Sequence, residues 1–160
     1  MKKKLVAYFS ATGTTRRAAE ALAAGAGAGL FGIRSSAPYT AVDLDWTNRA
    51  SRTSVEAGDP KTRPALADSA ADVASCETIF LGFPVWWHTA PKIIRTFLER
   101  YDFSGKTIVL FATSGGSGLG STKEDLRPCC PGAVLRDGRI LSGREPADRL
   151  WKWADSFCNQ

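Results

Sequence analysis

The sequence predicts an α/β fold, a single-domain open parallel five-stranded sheet in the order 2-1-3-4-5 with helices on both faces. Three observations lead there. Short, continuously apolar runs rich in β-favouring residues recur at 5–9, 78–83 and 106–112, the pattern of strands covered on both faces of a parallel sheet. Segments with helical spacing alternate with them, which calls for right-handed crossovers rather than hairpins. A length of 160 residues with 44% apolar content suits one core closed without staples.

The first strand is LVAYF at 5–9. After a Thr/Gly loop, residues 16–26 form an alanine-rich helix with Glu20 and Leu22 among strong helix formers, and the glycines from Gly25 onward end it. Residues 28–33 read as a short second strand. From 35 to 64 the chain is polar and carries several Pro, Asp, Thr and Arg residues, so order is expected but no element type is readable. Residues 65–75 have helical spacing with the acidic residues outward, and TIFLGF at 78–83 is a third strand stopped by Pro84. A helix over 90–101 has Pro91 in its first turn and Ile93, Ile94, Phe97 and Leu98 on one side. Residues 106–112 are a fourth strand, 113–120 a Gly/Ser loop, and 121–127 a helix broken by Pro128. A fifth strand over 133–141, with a turn at Asp137-Gly138, and an amphipathic helix over 146–157 close the domain.

Several function classes drop out on composition. No apolar run approaches the ~20 residues of a membrane span. The lysines behind Met1 are followed by only five apolar residues before Ser10, too few for a secretory signal, so a cytoplasmic location is expected. Cys76, Cys129, Cys130 and Cys158 show no CxxC spacing, which predicts reduced thiols and no metal site. The 21 basic residues, in a chain of net charge +5, are spread along its length, so no nucleic-acid module is predicted.

Three motifs are set aside. GAGLFG at 27–32 fits the dinucleotide pattern GxGxxG, but it follows a helix and enters a strand, the reverse of what that mechanism needs. GGSGLGST at 115–122 looks like a nucleotide phosphate loop except that Ser121 stands in place of the lysine. Phospho-acceptor receivers on the same fold need carboxylates at the strand ends, whereas here the first strand runs into Ser10 and the third into Pro84.

In an open sheet of this order, ligands sit beyond the carboxyl ends of the strands, between the first and third. Three loops converge there. The first, with Ser10, Thr12, Gly13, Thr14 and Thr15, puts four hydroxyls and a flexible glycine at a helix N-terminus, where free N–H groups and the helix dipole favour an anion. A cap alone would need one hydroxyl. Arg16 and Arg17, on the first turn, oppose the dipole and are expected to face solvent. The second loop, Pro84, Val85, Trp86, Trp87 and His88, sets two tryptophans at the ligand edge, as a planar aromatic ligand would require, with one of the two expected to pack inward. The third, Thr113, Ser114, Gly115, Gly116, Ser117 and Gly118, has so little bulk that its backbone can approach a ligand closely. A phosphate at one end and a large planar ring at the other describe flavin mononucleotide (FMN).

At these residues the sequence resembles the flavodoxin family, whose phosphate motif T/S-x-T-G-x-T is matched by Ser10, Thr12, Gly13 and Thr15. The segments GFPVWWHTAP, FLERYDFSGKTIVLFATSGGSG and CPGAVL extend the likeness over nearly the whole chain. The resemblance implies a flavodoxin-like fold and non-covalent FMN, with the first loop on the phosphate and Pro84 to His88 and Thr113 to Gly118 bordering the ring. Electron-carrying members are typically acidic, with carboxylates around the flavin that attract basic partners. This chain is basic, its ring-side loops carry no Asp or Glu, and its third loop has no aromatic to cover the second flavin face.

The expected function is therefore an FMN-dependent oxidoreductase passing electrons or hydride from NAD(P)H or a redox partner protein to a quinone-like or other small acceptor. The alternative is a flavodoxin-type carrier. His88, the sole histidine, is the candidate proton donor to a reduced acceptor. Tyr39 or Trp46, from the unreadable 35–64 segment, is expected to reach the ring end.

Overall fold

The structure, a computed structural model, describes residues 3–114 and 116–158. Strands β1 (Lys4–Phe9), β2 (Gly29–Ile33), β3 (Thr78–Pro84), β4 (Thr107–Thr113) and β5 (Val134–Ile140) form one parallel sheet in the order β2-β1-β3-β4-β5. Helices α1 (Thr14–Ala26), α2 (Arg52–Gly58), α3 (Lys92–Arg100), α4 (Thr122–Leu126) and α5 (Ala147–Cys158) connect or cover them.

Two-residue alternation divides each central strand between two apolar layers. Leu5, Ala7 and Phe9 of β1, with Ile79, Leu81 and Phe83 of β3, pack against Ile93, Ile94 and Phe97 of α3. Val6, Phe80, Val109 and Phe111 face the small residues of α1 and Leu150 and Ala154 of α5. Burial of each large side chain contributes about 1.5–3 kcal/mol. Gly82 interrupts the apolar run of β3 because the Phe111 ring fills the space its Cβ would take.

The strand ends fall within a residue or so of their expected places, which carries the three loops to one sheet edge. Two expectations fail. Residues 65–75 are not helical: Ser36 and Ala67 donate to the carbonyls of Ala65 and Arg34, forming an antiparallel bridge at Ser35 and Leu66. Asp68 and Asp72 then accept from the nearby Ala70 and Ser75 amides, local turns that compete with a helix. Asp137-Gly138 is likewise not a turn but a bulge within β5, opposite Leu110 and Phe111. Gly138 is needed there, since a Cβ would collide with the Leu110 carbonyl and the Trp153 ring.

Smaller differences have local causes. Pro91 caps α3 rather than entering its first turn, and Pro128 ends α4 through a 3-10 turn, Arg127–Cys129. The four cysteines are free and buried, and burial pushes the Cys130 thiol up to about 11. No helix among the described residues is long and apolar enough to cross a membrane.

Candidate functional site

At the end of β1 the backbone turns through Gly13, whose φ of 98° places it in the left-handed region at the N-cap of α1. No side chain caps this helix and no acidic residue lies in its first turn. The amides that open α1 therefore face the site with the helix dipole behind them, a donor set suited to an anion. The four hydroxyls divide their work. Ser10 Oγ accepts from Gly13 N–H at 3.0 Å and shapes the loop. Thr15 is buried, and its Oγ1 lies 2.7 Å from Thr113 Oγ1, tying the first loop to the third. Thr12 is exposed and Thr14 half-buried.

The arginines also divide. Arg16 pairs with Glu20 at 2.7 Å along the exposed face of the helix, as expected. Arg17, although exposed, borders a hollow of about 540 Å³ shared with Thr14, Thr113, Ser142 and Arg144, so it adjoins the loop instead of merely facing solvent.

The second loop is a tight reversal. Trp86 and Thr89 exchange backbone hydrogen bonds of 2.9 and 3.1 Å, and the two residues between them, Trp87 and His88, have φ of 49° and 65°. Hairpin turns with two positive φ values normally use Asn-Gly or similar pairs. Holding bulkier residues there costs roughly 1–3 kcal/mol each, and such outliers gather at functional sites. Thr89 Oγ1 donates to Asp125 Oδ2 at 2.6 Å, which also accepts from Ser121 Oγ, so α4 braces the turn. Asp125 has no signal in the sequence, being 36 residues from its partner.

The two tryptophans behave differently. Trp86 is half-buried, edge-on to Phe9 and Tyr39, each at 5.6 Å between ring centroids, whereas Trp87 is exposed beside His88. Val85 N–H donates to the Thr113 carbonyl at 3.0 Å, joining the second and third loops. In the third loop, Ser114 Oγ accepts from the Gly116 and Ser117 amides, so those two N–H groups close the loop on itself rather than opening to a ligand. Gly116 and Gly118 border open space, and Gly115 lies outside the described residues.

The 35–64 segment supplies a wall that the sequence did not disclose in detail. The Tyr39 hydroxyl donates to Glu56 at 2.8 and 2.7 Å, Arg52 Nε bonds Glu56 at 3.1 Å, and the Arg52 guanidinium lies 3.8 Å from the Tyr39 ring centre. Arg52 also donates to the Ala37 carbonyl and to Ser35 Oγ. Burial, then the bond to Glu56, pushes the Tyr39 phenol well above its ordinary range. Lys92, buried under α2, is shifted down by loss of solvent and donates to the Ala57 carbonyl. Tyr39 packs edge-on against Trp86, and Trp46 joins Leu44, Thr53, Val85, Trp86 and Trp87 around an apolar cleft of about 400 Å³. Among the described residues no group of three or more His, Cys, Asp or Glu could hold a metal ion.

A family model described as flavodoxin matches residues 3–157. No curated protein matches the chain. Among solved structures, a protein from Bacteroides eggerthii provisionally described as a flavoprotein is 45% identical, with a TM-score of 0.92 and 100% of both chains covered. A protein of the same provisional description from Bacteroides uniformis is 45% identical over 96% of this chain and 98% of its own, with a TM-score of 0.89. A flavoprotein from Lactobacillus acidophilus, solved in complex with FMN, shares the fold at 19% identity and a TM-score of 0.67, covering 88% of this chain and 92% of that one.

Proposed function

This chain belongs to the flavodoxin family, and from that premise we propose that it is a cytoplasmic FMN-dependent oxidoreductase delivering reducing equivalents from NAD(P)H or a redox partner protein to a small, quinone-like acceptor. FMN, when bound, supplies hydride or single-electron exchange. The residues present fit it. The uncapped first turn of α1, with Ser10, Thr12, Gly13, Thr14 and Thr15, offers amide and hydroxyl donors to a phosphate. Trp86, Trp87 and the third loop offer flat and unobstructed surfaces to a ring.

The observation that carries the enzyme reading is the apolar cleft beside the second loop, open to a small molecule and lined by no ionisable side chain. His88, exposed at the strained tip, would give a proton to a reduced acceptor. Trp86, fixed by Phe9 and Tyr39, keeps one aromatic wall in place without ligand. The Thr15–Thr113 bond keeps the phosphate loop and third loop in register.

A second reading, a carrier that docks to redox proteins, is favoured by the exposure of Trp46 and Trp87 at the cleft. One measurement tests the cofactor and a second separates the two readings. Denaturing the purified protein should release FMN. The holoprotein should then oxidise NADH or NADPH catalytically with a quinone; no turnover across a donor and acceptor panel, alongside rapid reduction by a reductase protein, would leave the carrier.

A further inference from the structure

We propose that the cleft between the second loop and the 35–64 segment is the acceptor site, that it takes a flat, uncharged ring compound bearing a carbonyl, and that Thr53 is the residue that recognises the carbonyl. This rests on the oxidoreductase reading and names its substrate class. The cleft, of about 400 Å³, lies within the range of small-molecule sites. Its walls include Trp46, Trp86 and Trp87, and 73% exposure of Trp46 leaves that indole without a protein partner over much of its surface.

The chemical class follows from polarity. No lining residue ionises, and the neighbouring Arg52 is turned inward onto Tyr39 and Glu56. An anionic dinucleotide would meet no cation there, which reserves the cleft for a neutral molecule. Apart from the tryptophan indoles, Thr53 is its one polar lining residue, only 2% exposed, and its hydroxyl has no hydrogen-bond partner. Buried hydroxyls are almost always paired, and an unpaired one calls for a reason. The other unpaired buried atoms among the described residues, Arg95 Nε and Thr96 Oγ1, belong to α3 and do not line the cleft. Threonine in a helix populates two χ1 rotamers, the freedom needed to present its hydroxyl to a ligand carbonyl.

The test is titration of naphthoquinone into FMN-loaded protein, read by quenching of tryptophan fluorescence, with stability and FMN affinity measured in parallel. Thr53→Val should weaken naphthoquinone binding by about fivefold or more, as expected when a site built for a hydrogen bond loses it. Thr53→Ser should restore binding to within about twofold, and Trp46→Ala should weaken it by a similar factor to Thr53→Val. Thr53→Val should melt no lower than the parent, because it removes an unpaired buried hydroxyl, and FMN affinity should not change in either Thr53 variant. Unchanged naphthoquinone binding in Thr53→Val and Trp46→Ala overturns the proposal, as does displacement of FMN by naphthoquinone, which would make the cleft the flavin's own seat. Binding that follows the predicted pattern without NADH- or NADPH-driven turnover supports the cleft assignment and sinks the oxidoreductase reading. Turnover with naphthoquinone KM unchanged in both variants does the reverse.

Discussion

The loop at the start of α1 is shaped by a bond spanning three residues, Gly13 N–H to Ser10, and by a backbone conformation that only glycine adopts cheaply. The wall of the cleft beside the second loop is held by bonds across 17 residues, from Tyr39 to Glu56 and from Arg52 to Ser35, together with a turn whose central residues, Trp87 and His88, resist their own conformation. The loop before α1 thus follows local rules, and the wall of the cleft is imposed by tertiary contacts. The first can then persist while the second varies.

The comparison breaks most readily at Glu56. Replacing it by Ala removes the acceptor of Tyr39 and the partner of Arg52, and should cost about 3 kcal/mol in urea unfolding, since bonds to a charged group contribute about 1.5–3 kcal/mol each and Arg52 retains some solvent. Tryptophan emission should report the loosened Trp86, while phosphate affinity stays unchanged. If Glu56→Ala unfolds both ends together, the two are not separable.

Next in size is FMN affinity at the other end. Thr12→Ala should weaken FMN binding about tenfold, because a charge-assisted bond to the phosphate is worth ~1.5 kcal/mol or more. Arg17→Ala should weaken it by less than about threefold, since exposed charges are screened by salt. Equal losses, measured by flavin fluorescence, would move the binding from hydroxyls and amides to the hollow beside Arg17.

A smaller effect with opposite signs sharpens the contrast. His88→Gly should stabilise the free protein by ~1 kcal/mol by relieving a positive φ, yet slow turnover or raise KM for the acceptor. No gain in melting temperature would mean that the turn is not strained.

A separate effect lies in alkali. Folding raises the pKa of Cys130 from 9.0 to about 11, and that of Tyr39 above its ordinary 10.0, so both favour the protonated form in the native state. Their stabilisation is full below about pH 9 and is lost as pH rises through the folded values. Cys130→Ala should flatten the fall in stability between about pH 9 and 11, and Tyr39→Phe the fall above about pH 10.

Much of the fold was legible because its signals are local: continuous apolar runs for β1, β3 and β4, and alanine-rich spacing for α1. The failed helix at 65–75 shows the limit. Its spacing was helical, but bonds from Ser36 and Ala67 to partners some 30 residues away outweighed a weak propensity. At Gly138 the sequence suggests a turn where the chain forms a bulge, because Asp-Gly is ambiguous until the neighbouring strand is known. At the site, the residue types of the three loops were visible, whereas Asp125 under the second loop and the Arg52–Glu56–Tyr39 network were not, since nothing in their own neighbourhoods marks them.

That bulge has a consequence for the protein outside its function. β5 is an outer strand, and a long flat outer strand invites pairing with another chain. Here Arg136, Asp137 and Arg139 place charge on the strand, and Gly138 interrupts its ladder at Leu110 and Phe111. The same glycine that lets Trp153 close over the sheet thereby discourages edge-to-edge aggregation along this side.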